Sequence, residues 1–225
     1  MMSVTHEGRV AIVTGASRGI GLGIARSLVA DGARVVITAR KSEALMKAVE
    51  ALGGPEHALG IVGHADDSAH QGEVVAAARA TFGRLDYLVN NTGINPSYGP
   101  MLDTDLEVGR KVLEVNVLSA FSWIQTAVRA GLGTPDSPGG AIVNVASIAG
   151  LRATGALGWY AVSKAALIHL TTELAYQLGP DVRVNAVAPA VVKTAFAQSL
   201  YVGREAAVAA QSPLKRLGVP EVVAR

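Results

Sequence analysis

The chain has 225 residues, half of them hydrophobic, with no cysteine and a formal net charge of only +2. The missing thiols exclude disulfides, thiolate metal centres, iron–sulfur clusters and cysteine nucleophiles. Lysines and arginines are scattered rather than interleaved with aromatics, which argues against a nucleic-acid surface, and the longest apolar runs are strand-sized, far short of the ~20 residues that cross a bilayer.

The length suits one α/β domain. The polar start over 1–8 lacks the apolar stretch of a signal peptide, so a cytosolic location is expected. RVAIVT at 9–14 predicts a first strand that ends in a Gly-rich turn, with a helix over 20–30 closed by Asp31-Gly32. RVVIT at 34–38 reads as the second strand, and Ser42 as the N-cap of a helix that runs to 52 and stops at Gly53-Gly54-Pro55. A weaker strand over 58–63 precedes a helix over 68–82 ended by Gly83, and DYLVN over 86–90 is a fourth strand. One long helix over about 106–129 follows, then a loop over 131–140 and a fifth strand, AIVNV, at 141–145. A helix from about 157 to 178 stops at Gly179-Pro180, and VRVNAV at 182–187 is the sixth strand. This alternation predicts right-handed crossovers and a doubly wound parallel sheet of Rossmann type, α/β/α in three layers, in a single domain.

Chemistry-bearing residues collect after the strands. In Thr14-Gly15-Ala16-Ser17-Arg18-Gly19-Ile20-Gly21 the glycines let the backbone turn tightly and approach a phosphate, with free amides of the following helix pointing at it. The same three glycines also suit a plain strand-to-helix turn. At the end of the second strand an NAD site places an acid for the ribose hydroxyls. Here stand Ala39, Arg40 and Lys41, and Arg18 lies in the turn. Guanidinium forks match the oxygens of a 2′-phosphate, so NADPH is the expected cofactor, against two merely solvated arginines.

Tyr160 and Lys164 are four apart on one helix and share a face. Ketone reduction needs a proton as well as a hydride, and a free phenol with pKa near 10 is a poor donor at neutral pH. An ammonium beside it, with the positive charge of an oxidised nicotinamide, would lower that pKa. Ser147 after the fifth strand can hydrogen-bond the substrate oxygen, and Asn116 in the long helix can position a water. Taken singly, each also fits an ordinary structural role: a turn serine, a packing aromatic, a solvated lysine, a hydrogen-bonded asparagine.

Together these motifs resemble the short-chain dehydrogenase/reductase family over nearly the whole chain. The resemblance carries the phosphate turn, Asn90-Asn91-Thr92-Gly93 after the fourth strand, and Ser147 thirteen residues before Tyr160 and its Lys164. It also carries Asn116 within Glu-Val-Asn-Val, Asp66 after the third strand, and Val184 to Pro189 with Thr194. It implies catalysis by Asn116, Ser147, Tyr160 and Lys164. It further implies cofactor contacts from Gly15, Ser17, Arg18, Gly19, Ile20, Gly21, Arg40, Asp66, Asn90, Thr92, Gly93, Tyr160, Lys164, Pro189, Val192 and Thr194, with Asp66 meeting the adenine. Within the family the chain is similar to 3-oxoacyl-[acyl-carrier-protein] reductases and related ketoreductases. That similarity implies a small-molecule carbonyl substrate, a 3-oxoacyl thioester first, and a homo-oligomer, tetramer or dimer.

Departures are Thr92 for a usual Ala, Ala190 for a usual Gly and Asp67 for a usual apolar residue. Family members also continue past the segment like Pro220-Glu221-Val222 into another helix and a seventh strand, which the chain is expected to lack. Ile94, Leu151, Leu157 and Val191 are the expected substrate pocket, under an Ala-rich helical lid over 195–211. Arg152 could meet an anionic substrate or simply be solvated. The histidines, His6, His57, His64, His70 and His169, lack metal-ligand spacing and read as surface or capping residues. The alternatives are an NAD-linked alcohol, sugar or steroid dehydrogenase of the same family and a non-catalytic dinucleotide sensor.

Overall fold

The computed structural model describes residues 5–135 and 137–224. Residues 1–4 of the polar start, Asp136 of the loop over 131–140, and Arg225 lie outside the described residues. The strands are β1 (Val10–Val13), β2 (Arg34–Ala39), β3 (Ala58–Val62), β4 (Tyr87–Asn90), β5 (Gly140–Val145) and β6 (Val182–Val187). All pair in parallel, in the order β3-β2-β1-β4-β5-β6. The chain starts in the middle, winds outward to β3, and returns to build the other half from β4. The order therefore reverses between β1 and β4, and the crevice outside their carboxyl ends is the place where such sheets take ligands.

Both faces of the sheet are covered, so the strands read as continuous Val, Ile and Ala rather than as apolar–polar alternation. Along β1, Val10 and Ile12 face a core shared with Leu88, Ile142, Trp123 and Leu174. The intervening Ala11 and Val13 face the other core, with Val35, Ile37, Leu45 and Val145. Helices α3 (Ser68–Phe82), α5 (Ser119–Arg129) and α6 (Gly158–Leu178) cover the first face, and α1 (Gly19–Ala30) and α2 (Ser42–Ala51) the second.

Four expectations need correction. Lys41 precedes α2 as its N-cap and Ser42 is its first helical residue, with no side-chain cap bond. The long helix over 106–129 is not continuous: α4 (Leu106–Leu113) runs into a π turn, Glu114–Leu118, and resumes as α5. The segment over 195–211, expected to be one helical lid, divides into the short helices α7 (Gln198–Tyr201) and α8 (Glu205–Ala210), separated at Gly203, whose φ is +78°. His70 is neither on the surface nor a cap. Gly63 has no Cβ to block its ring, which sits edge-on to Trp123 at 6.1 Å with both nitrogens unpaired, and burial pushes its pKa down. Asp67, unusual where an apolar residue is common, caps α3 by accepting from the Ala69 amide at 2.9 Å. The closing helix of the described chain is α9 (Pro220–Val223).

The opposite end of the sheet is tied by Asp86, fully buried. Its carboxylate accepts from Arg9 at 2.7 Å, from Arg84 at 2.8 and 2.6 Å, and from the Val10 amide at 2.9 Å. Burial alone would raise its pKa, but the two guanidinium partners and the amide outweigh it and hold the pKa below the ordinary value. Asp86→Asn is expected to cost about 3 kcal/mol, the lower end for a broken buried pair, because both arginines are one-third exposed and can rehydrate. A carboxylate with a depressed folded pKa stabilises above its unfolded pKa and loses that contribution as pH falls through the folded one. Chemical denaturation of wild type and variant should therefore differ at pH 7 and converge in acid below about pH 4. A constant gap would contradict the account.

Candidate active site

At the crevice the turn after β1 is fixed from both sides. The Thr14 hydroxyl accepts from the amides of Asn91 and Thr92, each at 3.0 Å. The Asn91 side chain donates back to the carbonyls of Thr14 at 2.8 Å and Gly15 at 3.2 Å, and the Ala16 amide bonds Thr38 of β2 at 3.0 Å. Gly15 and Gly19 hold φ of +63° and +60°, a region side chains disfavour, and a Cβ on Gly21 would lie 2.5 Å from the Asn91 amide nitrogen. Thr194, beyond β6, closes the far side, its methyl 3.3 Å from where a Gly19 Cβ would stand. Helix α1 then begins with Arg18 at its N-cap, no side-chain cap bond and no acid in its first turn. Its free amides and positive dipole end are left for an anion, so these residues fit a dinucleotide's phosphates. Arg18 and Arg40 are both exposed at this end of the sheet, Ser17 and Thr92 are partly buried beside it, and Ile20 packs down on the α1–α2 side of the core.

The second cluster lies after β5. Ser147 opens a short 3-10 turn, Ile148–Gly150, where its hydroxyl accepts from the Ala149 amide at 3.2 Å. It also faces the Tyr160 phenol, which burial pushes to a higher pKa and the Ser147 hydrogen bond pulls back in part. Lys164 follows one turn along α6 and is only 3% exposed, because this face of the helix continues as Leu167, Thr171 and Leu174 into the core. Its Nζ donates to the Val145 carbonyl at 2.7 Å and stands 5.7 Å from the centre of the Tyr160 ring. Burial lowers its pKa from 10.5 to about 8. Gly93 leaves the necessary room, since a Cβ there would be 3.4 Å from both Lys164 Nζ and Asn116 Oδ1.

Asn116 sits in the π turn. Its oxygen accepts the Ile94 amide at 2.8 Å, and its nitrogen donates to the Ile94 carbonyl and to Ser163 Oγ, both at 3.0 Å. Ser163 in turn donates to the Tyr160 carbonyl at 2.7 Å. Both N–H groups of the side-chain amide are thus spent within the protein, which leaves its oxygen or a backbone group to meet a water. The side chain braces the loop after β4 against the helix that carries Tyr160. A π turn at this position displaces backbone groups from the helical ladder, which is how such turns come to mark functional sites.

Other expected residues are placed unevenly. The Asn90 side chain is buried, donating to Asn144 at 2.9 Å and to the Ala120 carbonyl at 3.3 Å, so it can reach a ligand only through its backbone. Val192 is buried and pairs with Gly218. The Pro189 carbonyl accepts from the Ile148 amide at 3.0 Å. Asp66 is held by Lys111 at 2.5 Å. Of the pocket residues, Ile94, Leu157 and Val191 are half-buried, while Leu151, like Arg152, is exposed. Sequence reasoning missed Ser163, Lys111 and the bracing role of Asn91, and it missed Phe196, whose exposed ring lies 6.0 Å from that of Tyr160. Their signal is the through-space contact, except for Ser163, whose i+3 spacing from Tyr160 could have drawn notice.

The sequence matches the family described as short chain dehydrogenase over residues 9–204. It is similar to dehydrogenase/reductase SDR family member 4 of Oryctolagus cuniculus, 39% identical over 220 residues that cover 95% of this chain and 82% of that protein. It is 40% identical over 195 residues to human dehydrogenase/reductase SDR family member 2, mitochondrial, covering 86% of this chain and 68% of that one. The crystal structure of a short-chain dehydrogenase/reductase, glucose/ribitol dehydrogenase, from Brucella melitensis superposes with a TM-score of 0.92 at 31% identity, over 99% of this chain and 89% of that chain. Among the described residues no helix is long and apolar enough to cross a membrane, and no three metal-ligating side chains are grouped to hold an ion.

Proposed function

The chain belongs to the short chain dehydrogenase family, an oxidoreductase family that works on CH–OH and C=O groups with a nicotinamide dinucleotide, and from that premise we propose that it reduces a ketone to a secondary alcohol with NADPH. The observation that carries the reading is the pairing of buried Lys164 with Tyr160, which faces Ser147. When bound, the reduced nicotinamide supplies the hydride. The Tyr160 phenol donates its proton to the carbonyl oxygen; burial raises its pKa, against the lowering expected from the sequence, and the Lys164 ammonium with the charge of an oxidised nicotinamide would offset that rise. The Ser147 hydroxyl hydrogen-bonds the same oxygen and orients it. The Lys164 ammonium stabilises the phenolate that remains. With the hydride that the cofactor would supply to the carbon, the Tyr160 proton on the oxygen completes reduction of C=O to the alcohol.

The uncapped start of α1 supports phosphate binding, and Arg18 with Arg40, where β2 ends without an acid, supports NADPH over NADH. The double variant Arg18→Ala/Arg40→Ala is expected to lower kcat/KM for NADPH about 30-fold and to leave NADH within about twofold, because exposed charged hydrogen bonds are lost only to the 2′-phosphate. A wild-type enzyme that prefers NADH would sink this assignment. The substrate reading is a 3-oxoacyl thioester, supported by family resemblance and by the apolar character of Ile94, Leu157 and Leu151, which are expected to line the pocket. An NADPH-oxidation screen of 3-oxoacyl thioesters against simple, sugar and steroid ketones tests it. Higher kcat/KM for another ketone class would replace the substrate while leaving the chemistry intact.

A further inference from the structure

Asp66 and Lys111 form an ion pair that the reduction chemistry does not use. We propose that Lys111 is a positioning residue that holds the Asp66 carboxylate to read the amino group of the cofactor's purine. The inference rests on the dinucleotide reading above and on the family resemblance that gives Asp66 to the adenine; what it adds is the role of Lys111.

Placement comes first. In a doubly wound sheet a dinucleotide lies across the carboxyl ends of the strands from the switch point. With phosphates at the turn after β1 and the ribose at the end of β2, the base extends toward the end of β3. Asp66 stands there, four residues past Val62. The peptide leading into it is held far more firmly than a surface loop needs. The Ala65 carbonyl accepts from three buried donors: Ser119 Oγ at 2.7 Å, Gln71 Nε2 at 2.8 Å and Trp123 Nε1 at 3.0 Å. Gln71 is itself fixed by Ser122, which donates to its Oε1 at 2.5 Å. A carbonyl offers two lone pairs, so three donors on one oxygen saturate it and pin the peptide that precedes Asp66. Asp67 is spent in capping α3.

Lys111 completes the arrangement from the other half of the fold. It lies on α4, and its Nζ meets Asp66 Oδ2 at 2.5 Å. The Lys111 side chain is 58% exposed and that of Asp66 only 18%. A surface pair of this kind adds little to stability, roughly 0–1 kcal/mol, so its effect is better sought in what the carboxylate does. The Lys111 hydrogen bond outweighs desolvation and keeps the Asp66 pKa below its ordinary value. The carboxylate is therefore an acceptor only, and with Oδ2 held, Oδ1 is the oxygen that meets a ligand N–H. Adenine presents such a donor at its 6-position. Hypoxanthine presents a carbonyl there, which a carboxylate repels.

The test is fluorescence titration of the full chain with NADPH and with deamino-NADPH, its hypoxanthine analogue. Wild type is expected to bind NADPH about tenfold more tightly, the scale of a hydrogen bond to a charged group. Lys111→Met is expected to cost about fivefold for NADPH and to leave deamino-NADPH within about twofold, with an unchanged Tm, while Lys111→Arg keeps most of the discrimination. An unchanged NADPH to deamino-NADPH ratio in Lys111→Met overturns the role of Lys111, and equal affinities in wild type overturn the purine reading. Wild type that binds neither dinucleotide overturns the cofactor assignment itself, an outcome distinct from the other two.

Discussion

Tyr160→Phe is expected to lower kcat for ketone reduction about a thousandfold, within the range that a positioned general acid contributes, and to leave NADPH affinity nearly unchanged. The phenol is the acidic group that the structure brings to Ser147, and its ring packs between Lys164 and Phe196. Phenylalanine keeps the packing and removes only the proton and the hydrogen bond to Ser147. Stopped-flow or steady-state NADPH oxidation measures the loss, and titration of NADPH fluorescence measures the affinity. Turnover that survives with binding intact would show that another group donates the proton.

Lys164→Met is expected to make an inactive protein that is more stable than wild type. A lysine whose pKa falls from 10.5 to about 8 on burial is destabilising by about 3 kcal/mol at neutral pH. Losing the Val145 hydrogen bond offsets about 1 kcal/mol of the gain. The net is about 2 kcal/mol, or roughly 5 °C in Tm for a domain of this size. The sign follows from proton counts. Between about pH 8 and 10.5 the unfolded chain holds a proton that the folded one has released, so wild-type stability rises with pH across that window. The penalty is complete below about pH 8, and methionine has none. Thermal unfolding of the cofactor-free proteins should therefore show the largest gap near pH 7, closing toward pH 10.5. A variant that is less stable at pH 7 would mean that the buried amine contributes more through its hydrogen bond than it costs through desolvation. Reduction by wild type should also slow as pH rises through about 8, where the ammonium that stabilises the phenolate is lost.

This trade of stability for chemistry explains what was legible in the sequence and what was not. Strands buried on both faces announce themselves as short Val, Ile and Ala runs, and helices such as α3 by a terminal Gly83 with φ of +82°. The Gly-rich turn and the Tyr160–Lys164 pair could be read because each depends on local spacing along one strand end or one helix face. The π turn at Glu114–Leu118 could not, because α4 and α5 together keep an apolar periodicity that runs through it. The π turn carries Asn116, which reaches both backbone groups of Ile94, a contact 22 residues away. The Lys111–Asp66 pair and the Ser119 and Trp123 donors to Ala65 were hidden for the same reason, since the partners come from opposite halves of the doubly wound sheet. The expected lid misled differently: alanine-rich composition favours helix, and Gly203 with its positive φ divides it.

The most direct measurement of the central claim is the fate of a deuterium label. NADPH carrying deuterium at the transferable position is mixed with wild-type protein and a ketone found in the screen, and the product is examined by mass spectrometry and NMR. The account predicts a secondary alcohol with one deuterium on the carbinol carbon, formed in step with NADPH consumed and lost in Tyr160→Phe. Deuterated NADPH that binds and is recovered unreacted across the ketone panel would contradict it and leave the fold as a dinucleotide-binding module without this chemistry.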